Sequence, residues 1–163
     1  MAEEAAPRHA TFSIVSGGQT GVDQGALDAA SDRGVSCGGW CPEGRRSEAG
    51  MIPARYPVRE LAGSGYSERT RQNVVDSDGT AIIFNALLEG GTRLTAEYCE
   101  QERRPHVLID AATLSRAESV EVLGSFIRDN DIDVLNVAGP RASKWPDAHA
   151  VTHALLTELL KCG

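Results

Sequence analysis

The 163 residues are 41% hydrophobic and carry a formal net charge of −7. That length and apolar content fit one globular domain with a sizeable core and leave little room for two. The acidic balance argues against a nucleic-acid binder, since affinity for a phosphate backbone comes mainly from clustered Lys and Arg. An anionic small molecule bound through local groups remains open.

No run approaches the roughly 20 apolar residues of a membrane-spanning helix, and the acidic start Met1-Ala2-Glu3-Glu4 lacks the basic region of a signal peptide, so a cytoplasmic protein off the membrane is expected. Residues 1 to 10 read as a disordered leader and 11 to 163 as a single domain. In chain order the pattern predicts a strand over Thr11 to Ser16, a helix over Val22 to Arg33, a strand over Val35 to Trp40, a helix over Ser67 to Asp76 and a strand over Thr80 to Asn85. A helix over Thr92 to Arg103, a strand over His106 to Asp110, a helix over Arg116 to Asn130, a strand over Asp133 to Ala138 and a helix over Asp147 to Lys161 complete it.

This alternation belongs to an α/β domain with a mostly parallel sheet. In the last helix Val151, Leu155, Leu156, Leu159 and Leu160 form one apolar stripe, which is core rather than function. Ala81-Ile82-Ile83-Phe84 is apolar throughout, as expected of a central strand covered on both faces. Only Cys41 to Tyr66 breaks the alternation. It is read as a long loop without regular structure, the kind that often serves as a lid or binding loop.

In an open α/β sheet, ligands sit beyond the carboxyl ends of the strands. After the first strand comes SGGQTGVD, where glycines permit close backbone approach, Thr20 is placed to cap the next helix, and Asp23 complements its dipole or meets a ligand. It lacks the Lys of a Walker A loop. After the second strand, GGWCPEGRR offers Trp40 for stacking and Arg45 and Arg46 as charged donors. After the third, NALLEGGTRLTAE brings Asn85 and a second double glycine into a helix, with Thr92 as its cap. After the fifth, NVAGPRASKWP adds Arg141, Ser143 and Lys144. Basic loops at one sheet edge of an acidic protein point to a focused anion site.

Arg69 and Asn73 share a helix face, while Asp76 and Asp78 read as the turn into the third strand. The cysteines Cys37, Cys41, Cys99 and Cys162 are scattered and read as reduced thiols rather than a zinc site. His149 and His153 are four apart, but no third metal ligand accompanies them. No nucleophile stands beside a base.

Taken together, SGGQTGVDQGALDAA, GGWCPEGRRSEAGMIPARYP, ERTRQNVVDSDGTAII, GGTRLT and LNVAGPRAS resemble, in content and order, the motifs of the molybdenum carrier protein family. The resemblance covers nearly all of residues 12 to 145. It implies a Rossmann-like, doubly wound fold, homo-oligomers (dimer or tetramer), and a carrier of molybdenum cofactor (molybdopterin), a pterin phosphate, or of molybdate or a related oxyanion. The wider superfamily includes lonely-guy-type nucleotide phosphoribohydrolases, so a nucleotide-binding protein or a nucleotide 5'-monophosphate hydrolase is the alternative.

Those hydrolases carry G-G-x-G-T-x-x-E, whose Glu works on the ribosyl bond. Thr95 stands there in this chain, and Glu97 lies roughly 200° around a helix from it. No catalytic residue and no metal ligand is therefore assigned, although Asp23 and Asp78 remain as carboxylates near the loops. The expected ligand contacts are Ser16, Gly17, Gly18, Gln19, Thr20, Gly21 and Asp23, then Gly39, Trp40 and Arg45, then Asn85, Gly90, Gly91, Thr92 and Thr95, and finally Gly139, Arg141 and Ser143.

Overall fold

A computed structural model describes residues 12–161; the predicted leader and Cys162 lie outside the described residues. The elements follow as β1 (Ser13–Val15), α1 (Val22–Asp32), β2 (Ser36–Gly38), β3 (Trp40–Pro42), β4 (Arg46–Ser47), β5 (Gly50–Met51) and β6 (Arg59–Leu61). Then come α2 (Tyr66–Val75), β7 (Gly79–Phe84), α3 (Gly90–Gln101), β8 (His106–Asp110), α4 (Arg116–Asp129), β9 (Val134–Ala138) and α5 (Ala148–Leu160).

Five strands form one parallel sheet in the order β2-β1-β9-β7-β8, with Ile14 opposite Leu135 and Thr80 opposite His106. The last strand in the chain thus occupies the middle of the sheet. If β9 and α5 were moved to the front, the strands would read 3-2-1-4-5, the doubly wound order of dinucleotide-binding folds. The apolar β7 is an interior strand between β9 and β8, buried at every position.

One face of the sheet packs Ile14, Ile83, Ile109, Leu135 and Val137 against Val22 and Ala26 of α1, Leu123 of α4, and Leu155 and Leu156 of α5. Each such side chain stabilises the fold by about 1.5–3 kcal/mol relative to exposure. The predicted stripe on α5 is core: Leu155, Leu156 and Leu160 are buried, with Val151 and Leu159 half-buried beside them. On the other face Ile82 and Phe84 meet Ala96 of α3. No helix among the described residues is long and apolar enough to cross a membrane.

Two expectations need correction. The strand expected over residues 35 to 40 ends at Gly38, because Gly39 takes φ 126° and turns Trp40 into a different sheet. Cys41 to Tyr66 is not structureless: β3 pairs with β6 in parallel, and β4 pairs with β5 in a small hairpin. Cys41, Ile52, Tyr56 and Val58 from this insertion close over Leu27 of α1 in a second small core. Alternation fails there because each strand is only two or three residues long, too short to display a period.

The insertion is also pinned to the helices by charge. Asp28 of α1 accepts hydrogen bonds from Arg55 (2.5 Å) and the Tyr56 hydroxyl (3.0 Å), and its Oδ2 lies 2.7 Å from His149 Nε2 of α5. His153 makes the equivalent contact with Asp32 at 2.7 Å, so each histidine faces a carboxylate. Among the described residues no group of three metal-ligating side chains converges. Burial, with the Asp28 carboxylate beside it, pushes the Tyr56 phenol up to about 12. The fold therefore favours the neutral phenol; this contribution is complete below the ordinary value near 10 and is lost as pH rises toward 12. Urea midpoints measured from pH 9 to 11.5 should fall more steeply for the wild type than for Tyr56→Phe.

Candidate functional site

A cleft of about 430 Å3 opens beyond the carboxyl ends of β1, β9 and β7, at the point where the sheet order reverses. Gly17, Gln19 and Asp23 come from the first loop, Asn85 follows β7, and Asn136 through Arg141 follow the course of β9 and its loop. Gly90, Gly91, Thr92 and Thr95 of α3, and Tyr66, Arg69, Thr70 and Asn73 of α2, complete the walls with Lys144 and Trp145.

The first loop is not an open phosphate cradle, because it is filled from within. Asp23, 4% exposed, turns its carboxyl back into the loop, where Oδ2 accepts the Gln19 N–H at 3.2 Å. The Thr20 N–H donates to Gln19 Oε1 (3.1 Å) and the Val22 N–H to the Pro140 carbonyl (3.2 Å). The amides of Ser16, Gln19 and Thr20 thus have partners in the protein. Thr20 does not cap α1 either; Gly21 is the N-cap, with φ 85° and no side-chain cap bond. A Cβ on Gly21 would come within 2.5 Å of the Pro140 carbonyl.

Arg69 lies against this loop. It is 9% exposed, its Nη1 is 3.4 Å from Asp23 Oδ2, and its Nε is buried without a hydrogen-bond partner. Gly17 explains how it fits: a Cβ there would fall 1.6 Å from Nη1, so only glycine leaves room for the guanidinium. Burial drives the Asp23 carboxyl upward, against the opposing pull of Arg69 and the loop donors. The result is a cation at the cleft wall that keeps one buried donor, Nε, without a partner.

The second glycine loop is open. α3 begins at Gly90, preceded by Glu89 in extended conformation, and no side chain caps it. Its first N–H groups have no partner inside the helix and carry the positive end of its dipole. Thr92 is the third helical residue rather than the cap. Thr95 returns its hydroxyl to the Gly91 carbonyl at 3.0 Å, and Glu97 pairs with Arg93 (3.4 Å) and does not line the cleft. Asp78 is at the opposite edge of the sheet, accepting the Asp133 and Val134 amides at 3.1 and 2.8 Å. Among these acidic residues, Asp23 alone lines the cleft.

Several expected contacts lie elsewhere. Trp40 donates Nε1–H to Asp76 (2.8 Å) and carries Arg59 over its ring at 4.6 Å, so its face is covered outside the cleft. Arg45 donates to the carbonyls of Ile52, Pro53, Tyr56 and Val58 at 2.8–3.2 Å and holds the insertion together. Ser16 gives its hydroxyl to the Val137 carbonyl (2.6 Å), Gly39 stacks on Ser16, and Gly18 packs against Ile52. None of these lines the cleft.

Thr20 and Ser143 are drawn instead to Glu48 in the β4–β5 hairpin, an interaction not foreseen. Glu48 accepts from Thr20 Oγ1 (2.5 Å), from Ser143 Oγ (2.5 Å) and from the Ser143 N–H (3.1 Å), and lies 3.6 Å from Arg141. The hydrogen bonds from Ser143 and Thr20 hold its carboxyl below the usual range. One acidic side chain thereby ties the loops after β1 and β9 together. Arg69, Tyr66 and Asn73 were also missing from the expected site. The four-residue spacing of Arg69 and Asn73 was the available signal; Asn73 anchors α2 by bonding the Trp40 N–H (2.8 Å) and carbonyl (2.9 Å).

Fold and cleft together define a permuted, doubly wound α/β protein with an open cleft at its switch point. The model of the circularly permutated YpsA SLOG family matches residues 14–160, and the chain belongs to that family. The permutation agrees with β9 lying at the centre of the sheet. A crystal structure from Syntrophus aciditrophicus SB, named "Putative molybdenum carrier protein", is 42% identical, with a TM-score of 0.88 over 93% of this chain and 95% of that one. A search of curated proteins finds no match.

The two glycines beside Ser16 and Asp23 predict different failures. At Gly39 a Cβ would stand 2.1 Å from the Ser16 carbonyl oxygen with φ at 126°, so Gly39→Ala should destabilise by about 3 kcal/mol or more. Gly17→Ala meets the end of a side chain and should lose only about 1 kcal/mol while displacing Arg69. Urea unfolding of both variants checks the order.

Proposed function

We propose that this chain binds and carries a phosphorylated organic molecule, with molybdenum cofactor, a pterin phosphate, as its cargo. The observation that carries the reading is the pairing, in one cleft, of the uncapped N-terminus of α3 with the undersatisfied guanidinium of Arg69. Helix N–H groups and an Arg fork are complementary to a phosphate. Lys144 and Arg141 add positive charge at the same wall. The neighbour's name supports a molybdenum-related ligand.

Size favours the whole cofactor over a bare oxyanion. About 430 Å3 falls in the usual range for organic ligands, roughly 300–1,000 Å3, whereas a tetrahedral ion would fill a small part of it. Tyr66 and Leu87, 41% and 62% exposed, give the mouth of the cleft apolar surface for the organic part, the role expected of Trp40. A homo-oligomer in the cytoplasm belongs to the same proposal.

Hydrolysis of a nucleotide 5'-monophosphate is the second reading, and the buried Asp23 carboxyl in the cleft is what favours it. α3 offers no carboxylate there, since Thr95 occupies the relevant turn. Incubation with adenosine monophosphate should release no adenine; release that disappears in Asp23→Asn would replace the carrier reading. For binding, Arg69→Lys keeps the charge and loses the fork, and should weaken a phosphate monoester about tenfold, or ~1.4 kcal/mol, by calorimetry. Unchanged affinity would remove Arg69 from the site.

A further inference from the structure

The cleft wall that offers Arg69 to an anion also contains a carboxyl. Asp23 Oδ2 is 3.4 Å from Arg69 Nη1, and both residues line the cleft, so an oxyanion seated on that guanidinium brings its oxygens within a few ångströms of the Asp23 oxygens. Two anionic oxygens at such a distance in a buried site repel, Arg69 offsets part of that repulsion, and one shared proton removes it. We propose that the cleft binds its oxyanion together with one proton held between the ligand and Asp23, so that Asp23 selects a phosphate group, which keeps or readily takes up a proton, over weakly basic tetrahedral dianions such as molybdate or sulfate. This rests on the anion-binding reading of the cleft and adds to it the residue that discriminates among anions.

The surroundings of Asp23 support the assignment. From the loop ahead of it Asp23 meets the amide of Gln19, and from α2 the guanidinium of Arg69. Elsewhere on the cleft wall the charged groups are Arg141, already beside Glu48 at 3.6 Å, Lys144, and Glu89 ahead of α3; no histidine lines it. With Arg141 shared with Glu48, Arg69 and Lys144 face Asp23 and Glu89, so the side chains of the wall offer little net positive charge to offset a dianion. The balance of burial against Arg69 and the loop donors already moves Asp23 toward its neutral form. A phosphate monoester, with a second pKa of about 6, takes up that proton readily, and inorganic phosphate already carries one. Dianions of stronger acids must draw it from solvent through Asp23.

Inorganic phosphate and sulfate separate the cases, because at pH 8 both are mainly dianions of similar shape and only phosphate still carries a proton. Calorimetry on the full chain at pH 8 should show phosphate binding at least tenfold more tightly than sulfate. Sulfate should bind with uptake of one proton, read from buffers of different ionisation enthalpy, and weaken about tenfold per pH unit between pH 7 and 9. In Asp23→Asn the two ions should come within about threefold, with no proton uptake. Equal wild-type affinities without proton uptake overturn the selection while leaving the anion site standing. Binding of neither ion overturns the anion site and the selection with it. If Asp23→Asn does not fold, as circular dichroism would show, the wild-type ratio and proton count decide alone.

Discussion

The carboxyl of Asp23, turned back into the loop that follows β1, is the contact on which the architecture of the cleft depends. A glycine-rich turn at a helix start normally leaves its amides for an anion, and here the anion is a side chain of the protein. With the Gln19 amide bound to Asp23, the loop becomes a rigid seat for Arg69 rather than for a phosphate. Gly17 is bare because the guanidinium needs the space. In the carrier reading proposed above, the ligand's negative charge falls to the second glycine loop, at the start of α3, and to the donors of Arg69 that Asp23 leaves unpaired.

Energetics agree with a functional role for this pair. A buried ion pair must overcome the desolvation of both charges, so it contributes little net stability and is weak as a structural device. The Arg69–Asp23 contact is long and leaves Nε unpaired, which makes it a poor fold-stabilising bridge and a good reserve of donors. Glu48 behaves differently. It lies near the surface, where a single ion pair is worth only about 0–1 kcal/mol, yet three hydrogen bonds from two loops converge on it. Its role is to hold the β1 and β9 loops at a fixed spacing, from a hairpin inserted between β3 and β6.

Much of the fold was legible in the sequence because long elements display their period. The five helices and the buried β7 were visible from apolar spacing, and β8 was recovered at its exact bounds. The insertion was not, since strands of two or three residues have no period to read and Arg45 organises them through carbonyls that carry no sequence label. In the cleft, the glycines at 17, 90, 91 and 139 and the neighbouring Asp23, Asn85 and Arg141 were placed by loop position alone. Trp40 and Arg45 were misassigned to the ligand for a common reason: an aromatic face or a guanidinium after a strand looks the same in sequence whether its partner is a ligand or a distant Asp76, Arg59 or carbonyl. Arg69 was overlooked because it sits on a helix before β7 rather than in a loop after a strand.

Which of the two glycine loops receives the anion is the point on which this account stands most directly. Backbone 15N–1H spectra recorded during titration with inorganic phosphate would answer it. The account predicts saturable shifts at the amides of Gly90, Gly91 and Thr92, with Thr20 changing little because Gln19 already holds it and Gln19 responding only through Asp23. Large shifts at Gly17 to Gly21, with Gly90 to Thr92 unmoved, would contradict it.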